Sequence, residues 1–188
     1  MMFRVLLTLV VVVLFVGSAS ARTLSLGFND ETAQVVYEQL LTREAYGDSD
    51  MRARLWYDEE SEIFLGSAGV GVNGSPGNIP GFKTGIKVMA NGYDKNSVSL
   101  LAVSLGLLAD YTPPFLQGFG ATAEVHYSPS VFTFLDAKDY LETGVSIRYA
   151  LMPKAALMLS YQNILVDYED FGDVRLDDTV RIGVRIDF

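Results

Sequence analysis

The most regular feature of this sequence is a two-residue alternation of apolar and polar side chains. From residue 49 onward the chain divides into segments of about ten residues that carry this alternation, separated by clusters of turn-forming residues. Val145 and Ile147, for example, fall on one face of their segment, opposite Arg148. A period of two is typical of β-strands that have one apolar face. The segments lie at residues 49–58, 62–73, 81–91, 97–109, 118–127, 141–150, 155–166 and 181–188.

These repeated segments predict an all-β fold, an antiparallel up-and-down transmembrane β-barrel. Alternating segments of about ten residues separated by turns are the usual sequence pattern of such barrels. The preceding stretch, residues 23–41, leaves three alternatives: one long strand, a hairpin that turns at Asn29-Asp30-Glu31, or a partly helical segment over residues 33–41. Single-chain bacterial barrels normally have an even number of strands, so eight and ten are both allowed. We predict eight strands, with ten as the alternative.

The first residues form a separate segment. Arg4 is followed by an apolar run over residues 5–16 and then by small residues up to Ala21. This order is typical of a secretory signal peptide that is cleaved after the small residues. Twelve helical residues span only about 18 Å, against about 30 Å of hydrocarbon, so the run is too short for a transmembrane helix. We therefore predict a signal peptide at residues 1–21 and one barrel domain at residues 22–188.

A soluble periplasmic β-sandwich is the main alternative to the barrel, because its strands also alternate. The two folds differ in where the charged face lies, which is in water for a sandwich and in the lumen for a barrel. The signal peptide, the long connections and the terminal Phe188 favour the barrel. Aromatic residues near the segment ends also suit the interfacial girdles of a barrel. These residues are Trp56, Tyr57, Tyr111, Phe115, Tyr127, Tyr140, Tyr149, Tyr161 and Tyr168.

The lengths of the connections predict the orientation, because outer-membrane barrels have short periplasmic turns and longer outer loops. Residues 128–139 and 166–178 are therefore expected outside, and Pro113-Pro114 and residues 151–154 inside. The second outer connection is acidic. We expect a solvated loop there, with divalent-cation binding as an alternative that no fixed ligand spacing supports. Its carboxylates belong to Asp167, Glu169, Asp170, Asp173, Asp177 and Asp178.

The composition argues against several classes of function. Without Arg4, 13 basic residues remain against 23 acidic ones, whereas nucleic-acid binding needs basic patches. There is no cysteine and only one histidine, which argues against a zinc site of the usual kind. The sequence also has no Gly-rich phosphate loop and no Gly-x-Ser-x-Gly motif. We expect no cofactor, no metal and no nucleic-acid partner.

In a barrel, the charged face of each strand would line the lumen. The interior of an eight-stranded barrel is only wide enough for side chains to fill it. We therefore predict a largely plugged lumen held by ion pairs, with a narrow anion-preferring path as the alternative, because seven of the charged groups are basic and three are acidic. The predicted lumen charge network comprises Arg52, Arg54, Lys83, Lys87, Glu124, Glu142, Arg148, Arg181, Arg185 and Asp187.

One group of residues suggests catalysis. His126 and Ser128 lie at the end of one strand, and Glu142 opens the next. A histidine that activates a serine and is oriented by a carboxylate is the arrangement used in acyl transfer. The order His-x-Ser…Glu resembles that of the PagL-like lipid A deacylases, which implies lipid A deacylation as an alternative function. Two details count against it: alternation directs His126 into the lumen, and Pro129 follows Ser128 where that family has an asparagine.

The last strand, RIGVRIDF, has an apolar face that ends on an aromatic residue. In this alternating context the ending resembles the C-terminal signal by which outer-membrane barrels are recognised for insertion. We therefore expect two partners, outer-membrane lipid and, during biogenesis, the barrel-assembly machinery. The predicted insertion signal comprises Ile182, Val184, Ile186 and Phe188.

Three stretches together resemble the YfaZ family of bacterial outer-membrane proteins. They are LSLGFNDETAQVVYEQ near the start of the barrel domain, YSPSVFTFLDAKDYLETGVSIRYAL, and the strand that ends at Phe188. The resemblance implies a porin-like outer-membrane β-barrel of a Gram-negative bacterium, exported through the periplasm, with no catalytic residues to carry over. We therefore expect an integral outer-membrane barrel without enzymatic activity, either structural or narrowly channel-like.

Overall fold

The computed structural model describes residues 22–44, 47–77, 79–95, 98–169 and 172–188, so the predicted signal peptide lies outside the described residues. Among these residues, no helix is long and apolar enough to cross a membrane. A 3₁₀ turn spans Ser130–Phe132. The strands are β1 (Arg22–Phe28), β2 (Thr32–Glu44), β3 (Gly47–Asp58), β4 (Ile63–Gly74), β5 (Phe82–Lys95), β6 (Val98–Tyr111), β7 (Phe119–Ser128), β8 (Thr133–Leu135), β9 (Ala137–Met152), β10 (Ala155–Tyr168) and β11 (Gly172–Asp187).

Ten of these strands close into a ring. Each pairs with its neighbours antiparallel, in the order β1 to β7 and then β9, β10 and β11. The ring closes where β1 pairs with β11, from Thr23 opposite Asp187 to Phe28 opposite Ile182. The short strand β8 lies outside the ring and pairs with β6 beyond the end of β7. The protein is therefore a closed antiparallel barrel of ten strands plus one outside strand.

The preference for eight strands is wrong, and the alternative of ten is right. All eight alternating segments form strands, and the N-terminal stretch adds β1 and β2 as a hairpin. The side chain of Asn29 makes this turn: its Oδ1 accepts hydrogen bonds from the backbone N–H groups of Glu31 (3.1 Å) and Thr32 (2.6 Å). Asparagine favours turns because its side chain can bond to the backbone two or three residues on.

The closed ring also overturns the β-sandwich alternative. In β5, Ile86 and Val88 face outward and keep 56% and 45% of their surface exposed, whereas Lys87 between them is only 3% exposed. A sandwich would place the lysine in water and the apolar residues in its core. Here the apolar residues cover the outside and the charged residue lies inside, as a membrane barrel requires.

Three of the expected girdle residues are inside the barrel instead. Trp56 and Tyr140 have no exposed surface, and Tyr168 is 3% exposed. The cause is the alternation itself, because Trp56 is two residues from Arg54 and Tyr140 two from Glu142, and residues two apart in a strand share a face. These aromatic side chains therefore fill the lumen rather than the membrane interface.

The two ends of the barrel differ in their connections. At the end that we call proximal, the backbones of Arg22 and Phe188 are hydrogen-bonded at 3.0 and 2.9 Å. The opposite end, which we call distal, carries the β1–β2, β3–β4, β5–β6, β7–β9 and β10–β11 connections. The prediction of a long acidic loop over residues 166–178 is wrong, because β10 continues to Tyr168 and β11 already begins at Gly172. Long strands, rather than long loops, form this part of the distal end.

Candidate functional site

The interior of the barrel is the candidate site, and its distal part is filled by apolar side chains. We call this cluster the distal plug. Buried apolar groups pack at nearly crystalline density and leave little room for water. The distal plug comprises Trp56, Leu65, Tyr93, Leu100, Ala102, Ala137, Tyr140, Ile164, Val166, Tyr168 and Leu176.

The distal plug crosses the lumen from wall to wall. Tyr93 extends from β5 and Tyr168 from β10, which stand four places apart in the ring of ten, and their hydroxyl groups are hydrogen-bonded to each other. Leu65 and Ile164 have no exposed surface. The hydroxyl pair satisfies the polar ends of both tyrosines, so the rings can lie in an apolar cluster at little cost.

An ion pair lies directly beneath the distal plug. Arg54 on β3 bonds to Glu142 on β9 through both guanidinium Nη atoms, one of them at 2.9 Å, and β3 and β9 are five places apart in the ring of ten. Glu142 also accepts hydrogen bonds from the Tyr140 hydroxyl at 2.5 Å and from Gln162 Nε2 at 2.7 Å. Two-pronged pairs of this kind are among the stronger hydrogen bonds in proteins. The pair therefore joins opposite walls of the barrel.

Two further ion pairs lie close to it. Arg52 Nη1 bonds to both Glu124 carboxylate oxygens, at 2.6 and 2.8 Å, and joins β3 to β7. Arg181 Nη2 lies 2.8 Å from both oxygens of Asp177, and its Nε donates to Thr32 Oγ1 at 2.7 Å. The buried charges are therefore paired and hydrogen-bonded, which offsets the cost of taking them out of water.

Asp177 is absent from the predicted network because residues 166–178 are expected to form a loop, although it lies four residues before Arg181 and is therefore in phase with it. Ile164 on β10 pairs with Asp177, but the next residue, Leu165, pairs with Arg175, so Leu176 is the extra residue. Both Leu176 and Asp177 are buried. Alternation from Arg181 places Asp177 inside but not Leu176. The bulge, where the two-residue period breaks, brings Leu176 inside as well.

Other carboxylates also face the interior. Glu38 lies near three cations: Lys87 Nζ at 3.3 Å, and Arg52 and Arg185 nitrogens at 3.8 Å each. Asp50 Oδ1 lies 3.9 Å from Lys87 Nζ. Asp50 lies two residues before Arg52 and therefore shares its face, so alternation predicts its inward position. Glu38 lies in residues 23–41, for which the sequence left one long strand, a hairpin and a partly helical segment open.

These carboxylates change the charge of the interior. The predicted network has seven basic and three acidic groups, and the structure adds four acidic groups to it: Glu38, Asp50, Asp110 and Asp177. The interior therefore has as many acidic as basic groups in this set, and the surplus of positive charge that favoured an anion-preferring path is absent. The geometry gives that path no support.

The remaining members of the predicted network lie toward the proximal end. Arg148 bonds to Asp110 at 2.6 and 2.9 Å. Arg185 Nε lies 3.3 Å from Asp187, which also accepts a hydrogen bond from Thr23 at 2.7 Å. Lys83 is exposed and forms no ion pair within the described part of the chain. These side chains surround the entrance of the interior rather than fill it.

Between this entrance and the Arg54–Glu142 pair lies a cavity of about 500 Å³, which we call the proximal cavity. Lys83, Arg148 and Arg185 line its mouth, and Glu142 and Gln162 lie at its inner end. Its wall is polar and charged, so it is suited to water and small polar solutes. The lumen is therefore open at the proximal end and filled at the distal end.

The residues of the proposed deacylase triad do not form one. Ser128 is fully buried, and its Oγ donates to the carbonyl of Val103 at 2.9 Å. His126 Nε2 lies 3.4 Å from Glu124 rather than bonding to Ser128, and Glu142 is taken up by Arg54. A serine that is buried in this way cannot reach a lipid substrate, so the geometry does not support acyl transfer.

In the described part of residues 166–178, the geometry gives divalent-cation binding no support; Asp170 lies outside the described residues. The described residues contain no group of three or more histidine, aspartate or glutamate side chains that could hold a metal ion. Asp167 lies 3.8 Å from Lys138, Asp177 pairs with Arg181, and Asp178 lies 2.5 Å from Arg175. These carboxylates thus have separate cationic partners.

The C-terminal strand places its apolar residues outward. Ile182 is 57% and Phe188 49% exposed. Val184 and Ile186 lie on the same outer face and are also exposed. The residues of the predicted insertion signal therefore form a continuous apolar edge at the proximal end of β11.

Solved structures of porins have a similar fold. One is a KdgM porin in complex with disordered oligogalacturonate, which is 11% identical to this chain, with a TM-score of 0.50 over 89% of this chain and 99% of the other. Another structure of the KdgM porin is 14% identical, with a TM-score of 0.41 over the same shares of the two chains. At this level of identity the likeness to the first of these structures shows the barrel fold alone. No curated protein sequence matches the chain.

The sequence also matches a protein family along its length. The YfaZ precursor family covers residues 2–188, essentially the whole chain. A precursor family and a porin-like barrel together mark an exported protein of the outer membrane. The earlier resemblance is thereby confirmed: the chain belongs to the YfaZ family.

Proposed function

We propose that this protein is a structural outer-membrane barrel with a closed lumen rather than an open channel. In this account the distal plug and the Arg54–Glu142 pair block passage, while the proximal cavity exchanges water and small polar solutes with one side of the membrane only. The observation that carries the proposal is the bond between Tyr93 and Tyr168, two residues from separate walls that meet across the lumen.

The packing beneath this bond supports the same conclusion. An ion or sugar that crossed the barrel would have to displace side chains with no exposed surface, among them Trp56 and Tyr140. It would also have to break the Arg54–Glu142 pair, in which the Glu142 carboxylate accepts hydrogen bonds from Arg54 and from Gln162. Separating the two groups would leave each charge buried without its partner, and removing one partner of a buried pair costs roughly 3–5 kcal/mol, so spontaneous opening is rare.

We infer that the proximal end faces the periplasm. An even number of strands brings both ends of the barrel domain to one side of the membrane. Since the chain reaches the outer membrane from the periplasm, its termini remain on that side when hairpins cross. The proximal cavity then opens toward the periplasm, and the distal plug faces the outside of the cell.

We also infer that Ile182, Val184, Ile186 and Phe188 form the insertion signal. Their support is the continuous apolar edge on β11, next to the seam at which β1 closes the ring. A partner that recognises the last strand before closure would find this edge accessible. The partner expected for it is the barrel-assembly machinery.

Conductance in planar lipid bilayers tests the proposed function. The full-length mature protein should insert without producing steady current, in the same bilayers in which an open porin conducts. A double variant, Trp56→Ala with Tyr140→Ala, should give flickering current because it removes two side chains that fill the lumen. Leu105→Ala with Leu107→Ala is the matched control, since both residues face outward. Steady current through the unmodified protein would contradict a closed lumen, and anion selectivity of that current would revive the anion path.

A further inference from the structure

The connection between β7 and β9 carries an exposed apolar patch at the distal end of the barrel. Val131 and Leu135 keep 72% and 64% of their surface exposed, and Phe132 and Phe134 keep 52% and 46%. We propose that this patch inserts into the lipid leaflet around the distal end, so that the connection binds the membrane instead of extending into water. The inference concerns the outer wall and does not depend on whether the lumen conducts.

The connection leaves the line of the barrel wall. Tyr127 on β7 pairs with Leu105 on β6, and the next pairing along β6 joins Ala102 to Thr133 of β8. Two residues of β6 separate these pairings, against five on the side of β7 and β8. The surplus does not fit into the ladder and is extruded from it, as in an enlarged β-bulge. We call residues 129–132 the lateral bulge.

Hydrogen bonds close the base of the lateral bulge. The Thr133 hydroxyl lies 2.9 Å from Ser128 Oγ and 3.1 Å from the carbonyl oxygen of Pro129. Ser128 Oγ in turn donates to the carbonyl of Val103 at 2.9 Å, on the stretch of β6 that the bulge leaves without a ladder partner. The lateral bulge is therefore an ordered part of the wall and not a frayed strand end.

The backbone of the lateral bulge suits a position close to lipid. Its 3₁₀ turn bonds the N–H of Phe132 to the carbonyl of Pro129 at 2.8 Å, and the N–H of Thr133 to the carbonyl of Ser130. Pro129 itself has no N–H group to satisfy. Since backbone groups without partners are costly in hydrocarbon, these internal bonds lower the cost of bringing the turn to the membrane interface.

The backbone also presents a second apolar side chain beside Phe134. By alternation Leu135 would share the inward face of Thr133. Leu135 is exposed instead, and its φ of 72° lies in the left-handed region, which is unfavourable for a leucine. Strained backbone of this kind occurs mainly where a binding surface or the surrounding structure requires it. The strain here accompanies two adjacent apolar side chains on the outer surface.

The patch continues the lipid-facing wall. Phe134 pairs with Leu101, whose side chain is exposed on the outer face of β6 as that of Leu105 is. The β1–β2 and β3–β4 turns at the same end differ, because residues 29–31 and 59–62 contain only Asn, Asp, Glu and Ser. Exposing this apolar surface to water is unfavourable, whereas acyl chains remove it from water. Continuity with the wall therefore identifies the lipid of the adjacent leaflet as the occupant.

Nitroxide spin labels provide the test, because the chain has no cysteine of its own. Val131→Cys and Phe134→Cys are labelled in the full-length mature protein and reconstituted into phospholipid vesicles. Molecular oxygen concentrates in lipid and a neutral nickel chelate in water, so their collision rates with the label report its surroundings. Leu107→Cys, on the outer wall, is the lipid control, and Glu60→Cys, in a polar distal turn, is the water control. We expect both bulge labels to give the oxygen-to-nickel ratio of the Leu107→Cys label.

Two other results would overturn the proposal. A ratio equal to that of the Glu60→Cys label would place the connection in water. Low collision rates with both reagents would mean that a protein surface, such as a second copy of this chain, covers the patch instead of lipid.

Val131→Lys with Phe132→Lys provides an independent test. The bonds at the base of the lateral bulge come from Ser128 and Thr133, so the barrel should still form. Charge on the lipid-facing surface near the interface should shift the folding equilibrium in vesicles by about threefold to tenfold toward the unfolded chain, measured in urea by the heat-modifiable band. Glu59→Lys with Glu60→Lys, also exposed at the distal end, is the matched control and should leave it unchanged. Equal shifts in the two double variants would contradict insertion of the patch.

Discussion

At the scale of single residues, the interior is held by charges that find their partners across the lumen. Glu142 accepts hydrogen bonds from Arg54, Tyr140 and Gln162, which come from three different strands. Neither Arg54 nor Glu142 is more than slightly exposed. Removing one partner of such a pair leaves the other charge buried without compensation, which costs more than the pair itself contributes.

Arg54→Met should therefore destabilise the barrel by about 3–5 kcal/mol. The urea concentration at which the protein loses its folded, heat-modifiable gel band measures this change. Arg54→Met with Glu142→Met should be more stable than the single variant, since no charge is left alone. Lys83→Met is the control and should change stability by no more than about 0.5 kcal/mol, because Lys83 is exposed. An Arg54→Met protein as stable as the unmodified one would show that the pair is not formed.

Gly106 supplies a second residue-scale prediction. A Cβ atom at this position would lie 2.3 Å from Cε1 and Nδ1 of His126, so the imidazole ring rests directly on the glycine. Gly106→Ala should destabilise the barrel by about 1–3 kcal/mol, measured by the same unfolding assay. Adding His126→Ala should recover most of that loss. Gly66→Ala, whose new atom meets only Leu55 Cδ2 at 3.9 Å, should be nearly neutral, and an equal effect of both glycine substitutions would contradict the packing described.

At the scale of elements, the last strand both closes the ring and carries the proposed insertion signal. Phe188→Ala should reduce the fraction of protein that assembles in the outer membrane, because it removes the aromatic end of the apolar edge on β11. The measurement is the heat-modifiable band in outer-membrane fractions of expressing cells. Phe64→Ala, an outward-facing aromatic residue on β4, is the control and should assemble normally. If the Phe188→Ala variant assembled as well as the Phe64→Ala variant, Phe188 would not be part of the insertion signal.

Individual elements also show what the sequence could and could not predict. The segments 81–91, 118–127 and 141–150 alternate cleanly, so the outer and inner faces of most of β5, β7 and β9 were predictable. The stretch that forms β2 contains adjacent apolar pairs and a register shift near Leu40, which hide the two-residue period. Asp177 was missed for another reason: it is in phase with Arg181, but it precedes the predicted segment 181–188 and lies in a stretch that was expected to be a loop. Interior partners such as Arg54 and Glu142 could not be paired, because their contact depends on which strands face each other once the ring has closed.

At the scale of the whole molecule, the lumen is asymmetric along the barrel axis. The distal third is apolar and filled, the middle is crossed by ion pairs, and the proximal part holds a polar cavity of about 500 Å³. In the proposed function, this order of layers interrupts the continuous polar path that a channel needs. Outward-facing residues such as Ile86, Val88, Leu105 and Leu107 are apolar, so the membrane position does not depend on the lumen.

Access to single cysteines tests this asymmetry most directly, because the chain has no cysteine of its own. Ser146→Cys places a thiol on the wall of the proximal cavity, and Glu60→Cys places one in the exposed distal turn. A membrane-impermeant maleimide added to intact cells should label the Glu60→Cys variant but not the Ser146→Cys variant. The same reagent should label the Ser146→Cys variant once the periplasm is opened. Labelling of the Ser146→Cys variant from outside intact cells would show that the lumen is open and would contradict the account.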